Sequence, residues 1–292
     1  MQKILYSIFL ISISLIVFFT IYLSSVGVET SKFNNIIINE IKKKDPSIQI
    51  SLNKIKIKFD IKKIQIYLST FEPQITYQGI TIPIKEINLY TKIISILKSR
   101  NEINQAIVSF QNFKFKDIQK LAIRIKPSNF KTYLLNNFND GEINKILIDV
   151  KLDKNLNIKD YKINGSVKKV NINVLNNLSI QDVSLNFITD KNLTLINSLN
   201  AKYKDISISN GSLTLKRDKQ IDIEGKFNSQ FNLNENEINK LLMKSKIKLL
   251  EKNKAKVKGS LVHNFSFKID ENFKLIDYDY KSNGNISESL IV

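Results

Sequence analysis

Along residues 55–68, "IKIKFDIKKIQIYL", apolar and charged positions alternate. Ile55, Ile57, Phe59 and Ile61 interleave with Lys56, Lys58, Asp60 and Lys62; after Lys62-Lys63 the register flips to Ile64, Ile66 and Leu68. Successive side chains of a strand point to opposite faces, so the pattern predicts strands with one greasy and one charged surface. Further strands are expected at 48–52 and on either side of Gln78-Gly79, with Pro83 at an edge or a strand start. Residues 107–125 also read as strand, on Val108, Phe110, Phe113, Phe115, Ile123 and Ile125. Beyond residue 139 the texture is strand, polar turn, strand, with short strands expected from 143–152 through 158–163, 167–174, 193–196, 199–203, 206–208 and 211–216 to 257–269 and 273–280.

Helical spacing is confined to 33–44, 91–99, 128–138 and 235–252. The first carries Phe33, Ile36, Ile37 and Ile41 on one side; the last opens with Asn234 and Glu237 in a capping-box arrangement. The fold class is therefore mainly β with a few short helices. "KLDKNLNIKDYKI" (151–163) aligns without a gap on "KIDENFKLIDYDY" (268–280), and each copy predicts a hairpin turning at an Asp-x-Asn or Asp-Glu-Asn step. The second copy stands near residue 292, which suggests a repeat series continuing past the given sequence.

Residues 4–28 hold no charged side chain and include Ile4, Phe9, Leu15, Phe18, Phe19 and Val28. At about 1.5 Å per residue they can cross a hydrocarbon core of roughly 30 Å. A cleavable signal is the rival reading, but its apolar region typically runs only about 7–15 residues, so an uncleaved anchor is expected. Charge leaves the orientation open: Lys32 and Lys42–Lys44 follow the segment, yet long domains cross largely regardless of flanking charge. The expected organisation is an anchor at 1–28, an α+β module at 29–138, and a β meander at 139–292 interrupted by the helix at 235–252.

Composition sharpens this picture. With 42% hydrophobic and 25% charged residues, the 292-residue chain has ample material for a core. Its net charge of +18 invites a polyanion. Arginine, the favoured residue for bidentate phosphate contacts, occurs only at 100, 124 and 217, and the lysines are spread evenly, so no nucleic-acid partner is expected. Cysteine is absent, which excludes disulfides and thiolate metal sites. His263 is the single histidine, and Asp270, Glu271, Asp277 and Asp279 lie near a hairpin turn, where acidic residues are common for backbone reasons. No catalytic residue, metal or cofactor is expected. The seventeen Phe and ten Tyr follow the strand alternation, a signal shared by core packing and by the lining of a lipid groove.

Taken together, the apolar start, "KIKIKFDIKKIQIYL" (54–68), "IPIKEINLY" (82–90) and the "LDKNLNIKDYKINGSVKKV" unit (152–170) resemble the AsmA-like family. These are inner-membrane-anchored proteins of Gram-negative bacteria, with the YhdP and TamB types as longer relatives. The resemblance implies a single-pass inner-membrane anchor, the bulk of the chain in the periplasm, and an elongated, twisted antiparallel sheet forming a gutter. It further implies phospholipid or another acyl-chain lipid as partner, moved between envelope membranes along a groove lined by Ile55, Ile57, Phe59, Ile61, Ile64, Ile66 and Leu68. A scaffold assisting outer-membrane protein assembly, with envelope proteins as partners, is the alternative.

Overall fold

The computed structural model describes residues 2–92, 102–124, 129–174, 178–244, 255–270 and 274–291. In chain order the elements are α1 (Gln2–Ser25), β1 (Val28–Thr30), α2 (Asn34–Lys44), β2 (Ile48–Ser51), β3 (Ile55–Asp60), β4 (Gln65–Phe71), β5 (Gln74–Tyr77), β6 (Ile80–Ile82), β7 (Ile84–Lys92), β8 (Gln105–Phe110) and β9 (Phe113–Lys114). They continue with α3 (Phe115–Arg124), α4 (Asn129–Asn137), β10 (Phe138–Asn139), β11 (Glu142–Leu152), β12 (Ile158–Val174), β13 (Leu178–Asp190), β14 (Leu193–Tyr203), β15 (Ile206–Arg217) and β16 (Ile221–Asn234). The last three are α5 (Glu235–Lys244), β17 (Ala255–Ile269) and β18 (Leu275–Ile291).

The chain is mostly β. Among the described residues, fifteen strands hydrogen-bond in the order β1-β3-β4-β7-β8-β11-β12-β13-β14-β15-β16-β17-β18, with β9 on β11 and β10 on β12, and β2-β5-β6 form a small second sheet. Two compact units are present: Met1–Gln111 with Ile146–Lys162, and Asn112–Lys145 with Ile163–Val292.

In the first unit, α1 is long and apolar enough to cross a membrane; Lys3–Ser25 has a mean hydropathy of 2.6 and buries nothing against the protein. Gly27 ends it. At φ +78 it takes a left-handed conformation that costs a glycine little, and the N–H groups of Val26 and Gly27 both donate to the Tyr22 carbonyl. Ile4, Phe9, Leu15, Phe18 and Phe19 thus lie on the apolar helix. Val28 does not: released by Gly27, it begins β1 opposite Ile57.

The apolar core of this unit is small. Ile50, Leu52, Ile55, Ile75 and Ile84 are buried together, with Ile37, Ile38 and Ile41 of α2 and Leu68, Ile87 and Val108 of the large sheet packed around them. Asn34 fixes the start of α2 by donating from Nδ2 to the carbonyls of Leu52 and Asn53.

In the second unit, strands expected as short pieces prove continuous. The pauses expected at 164–166, 197–198 and 209–210 lie inside β12, β14 and β15. Lys169, Asp182, Ser198 and Asn210 instead adopt φ values of 51°, 53°, 55° and 52°, one in each of four consecutive strands, and the register shifts beside Asp182, Ser198 and Asn210. These are β-bulges, which bend a strand and increase its twist without ending it. Val170, Val183 and Ala201 form the buried cluster beside them.

Residues 115–124 are a second correction; Ile125 lies outside the described residues. Phe115, Ile118 and Ala122 recur at helical spacing, and the segment folds as α3, with Phe115 buried and stacked on Phe138 at 5.5 Å. The helix expected at 128–138 is α4, and that at 235–252 is α5 as far as Lys244. Thr91 and Lys92 belong to β7; the remainder of the helix expected at 91–99, and residues 245–252, lie outside the described residues.

The repeat is visible in both units' hairpin turns. Asp153 N–H donates to the Asn157 carbonyl and Asp270 N–H to the Lys274 carbonyl, each at 3.0 Å. In both, the aspartate Oδ1 accepts the backbone N–H four residues on, at 2.8 Å. These bonds hold the Asp153 carboxyl below its ordinary range.

Candidate apolar binding face

Register shows how the alternating strands combine. Val28, Ile57, Leu68, Leu89, Ala106 and Val150 stand opposite one another across β1, β3, β4, β7, β8 and β11. A second row reads Thr30, Ile55, Thr70, Ile87, Val108 and Ile148; a third holds Phe59, Ile66 and Thr91. The opposite face is polar, with the rows Glu29, Lys56, Ser69, Asn88, Ile107, Asp149 and Lys58, Tyr67, Tyr90, Gln105, Lys151. There Tyr67 stacks on Tyr90 at 4.9 Å, and Lys63 Nζ sits 4.1 Å from the Tyr90 ring while donating to Gln105 Oε1. Burial, helped by the nearby Asp60 carboxylate, pushes the Tyr90 hydroxyl up to about 12. One wall is aliphatic, the other aromatic and charged.

The aliphatic wall is covered unevenly. α2 and the small sheet lie over the row containing Ile55, Ile87 and Val108. Ile55 is 1% exposed, so it is core and does not line an open groove. Ile57, Phe59, Ile66, Leu89, Ala106 and Val150 are half-buried and belong to no buried cluster. Leu68 is half-buried at the border of the covered zone. Ile61 and Ile64, expected within strands, occupy the turn joining β3 to β4, where they are 53% and 68% exposed. That turn forms because Asp60 Oδ1 accepts the Lys63 N–H and Ile64 takes a left-handed φ of 52°.

Of the seven expected lining residues, then, Ile57, Phe59, Ile66 and Leu68 share a continuous half-open face. Sequence reasoning missed Leu89, Ala106 and Val150, which complete the wall. Each sits in an ordinary alternating strand, and only the pairing register shows that it extends the same row.

The second unit repeats the theme. Phe187, Ile196, Leu213, Gly225, Phe265 and Tyr280 form one row, while Lys216, Asp222, Lys268 and Asp277 form a row of alternating charge behind it. The Phe265 ring lies over Gly225, where an added Cβ would come within 2.4 Å of it, so glycine is required for the ring to lie flat. His263 is part of this aromatic wall. Its Nε2 lies 2.7 Å from Ser229 Oγ, its Nδ1 2.6 Å from the Tyr280 hydroxyl, and its ring stacks on Phe227 at 4.4 Å. Burial pushes its pKa below the usual value. A serine beside a histidine can be a nucleophile and base, but Ser229 is 4% exposed and offers a substrate no approach. Among the described residues no group of three or more His, Asp or Glu side chains is placed to hold a metal.

No family model, no curated protein and no solved structure matches the chain.

Proposed function

We propose that this is a membrane-anchored lipid-binding protein of the AsmA-like type, with its bulk in the periplasm, whose aliphatic sheet face receives acyl chains for movement between envelope membranes. The observation that carries the reading is where that face begins. Its first residue, Val28, follows the end of α1 by three residues, and the row runs on through Ile57, Leu68 and Leu89. A half-open aliphatic wall is costly in water and gains from any greasy occupant. An acyl chain laid along it recovers about 0.8 kcal/mol per buried methylene without any specific contact. Headgroups stay in water at the end of the wall, beside Lys62 in the exposed turn after β3.

The test is lipid content. Full-length protein purified in mild detergent is expected to carry phospholipid beyond its annular shell, and Ile57→Asp or Ile66→Asp to lose it. Phe71→Asp, at an exposed strand end away from the row, should leave it unchanged. Equal lipid in all four proteins would sink the proposal.

A second reading, a scaffold for outer-membrane protein assembly, is favoured by β18. Its residues Leu275–Leu290 are exposed along the strand, and among the described strands only β17 pairs with it, so the other side of its backbone faces no described strand. Such an edge accepts incoming strands.

A further inference from the structure

β1 runs antiparallel to β3, with Val28 opposite Ile57 and Thr30 opposite Ile55. Tracing β1 backwards towards α1 therefore follows β3 forwards towards its turn. Gly27 fixes this arrangement: an added Cβ there would lie 2.7 Å from Lys58 Cγ and 2.8 Å from the Ile57 carbonyl. The end of α1 is thus level with the last residues of β3, and the Ile61–Ile64 turn lies only a few residues beyond, at about 3.3 Å each.

Other loops meet at the same end of the sheet. Lys58, Tyr67, Tyr90, Gln105 and Lys151 form one row, and Leu152 N–H donates to the Asn104 carbonyl. The turn after β11 consequently emerges at the same end of the sheet as the turn after β3, four strand spacings across it, or about 19 Å. It presents Leu156, 38% exposed, and then Ile158, 63% exposed at the start of β12. Ile61, Ile64, Leu156 and Ile158 form a fringe of exposed aliphatics at the end from which α1 departs. Lys62 and Lys154, which form no ion pair among the described residues, accompany them. Away from this end, Ile37, Ile38 and Ile41 of α2 and the small sheet pack over the core, while Lys44, the last residue of α2, reaches back to act electrostatically on Asp153.

We infer that this loop end is a second membrane contact, resting on the bilayer that α1 enters. Ile61, Ile64, Leu156 and Ile158 dip into the headgroup region, and Lys62 and Lys154 meet anionic lipid phosphates. The occupant is a lipid surface because the fringe continues directly from an apolar helix of membrane-spanning length, and because the two turns are net cationic: residues 60–64 carry two lysines against Asp60, and residues 151–160 three lysines against Asp153 and Asp160. Apolar side chains flanked by lysine are what an anionic interface binds. The contact rests on the reading of α1 as a membrane anchor, and it deepens the lipid proposal: Phe59, Ile66 and Thr91, the row nearest this end, become the mouth of the aliphatic wall.

The chain has no tryptophan, so single substitutions make clean reporters. Full-length Ile64→Trp, Ile158→Trp, Phe71→Trp and Phe9→Trp would each be reconstituted in phosphatidylethanolamine–phosphatidylglycerol vesicles carrying acyl-brominated lipid. Ile64→Trp and Ile158→Trp are expected to be quenched by brominated lipid and shielded from aqueous iodide. Phe71→Trp, at the opposite end of β4, should show the reverse, and Phe9→Trp should be quenched only by lipid. Adding Lys62→Glu and Lys154→Glu should reduce quenching at Ile64→Trp in anionic vesicles. If Ile64→Trp and Ile158→Trp behave like Phe71→Trp while Phe9→Trp remains lipid-quenched, the contact is refuted and the anchor stands. If Phe9→Trp is not lipid-quenched, the anchor reading fails and the contact with it.

Discussion

Two isoleucines nine positions apart, Ile55 and Ile64, show how little hydrophobicity alone says about role. Ile55 is sealed beneath β2 and β5, whereas Ile64 stands in a turn, 68% exposed. Truncating Ile55 to alanine is expected to cost about 2–5 kcal/mol, the usual range for a buried aliphatic that leaves a cavity. Ile64→Ala should stay within about 0.5 kcal/mol, as surface changes do. Thermal unfolding of the two variants in detergent checks this; equal losses would mean the turn is packed in a way the structure does not show. His263 supplies a pH-dependent counterpart. Its pKa lies below the ordinary value of 6.5 because the ring is buried, so the unfolded chain binds the proton more readily. Its contribution to stability is therefore complete above pH 6.5 and lost as pH falls through the folded pKa. Between pH 7 and 5 the melting temperature should fall, and His263→Gln should flatten that slope. The lowered carboxyls of Asp45 and Asp153 titrate further down, below their ordinary value of 3.8, and do not interfere. A slope that survives in His263→Gln would assign it to another group.

At the scale of elements, strand alternation and turn chemistry were legible, while register and bulges were not. The period-2 pattern of 55–60 and 65–71 is local, and so is the Asp153 turn, where one carboxylate satisfies nearby backbone donors. Asn-Gly at 164–165 and 210–211 resembles a hairpin turn by the same local logic, yet both pairs lie inside strands. What decides between turn and bulge is whether the neighbouring strand continues alongside, and that information is carried by a different part of the chain. β15 continues past Asn210 because β14 and β16 both run on beside it. The face at Ile57 has the same origin: four of its partners, Leu68, Leu89, Ala106 and Val150, come from segments up to 93 positions away by sequence number (150 − 57). α3 failed for a simpler reason. Phe113 and Phe115 read as alternation, but Ile118 and Ala122 place Phe115 in a helical series, and only the longer window shows it.

For the molecule as a whole, net charge and the strand edge that β18 presents among the described residues act against each other. β18 offers 17 residues of edge, "LIDYDYKSNGNISESLI", with Tyr278, Tyr280 and Ile286 exposed. Edges of this kind pair with other strands unless something keeps them apart. Here the restraint is the net charge of +18, which makes two copies repel. Salt weakens that restraint: the screening length falls from about 10 Å at 0.1 M to about 3 Å at 1 M, while backbone pairing at contact distance is little affected. Self-association of the detergent-solubilised chain, followed by sedimentation, is therefore expected to rise with ionic strength. Ile286→Lys should suppress it by placing a charge on the edge. The lysine fringe beside α1 predicts the opposite sign for the anionic bilayer contact, which salt should weaken. The two surfaces can thus be separated in one titration. Association that falls with salt, or that is indifferent to Ile286→Lys, would show that β18 is not an open acceptor, and the scaffold reading would lose the observation that favours it.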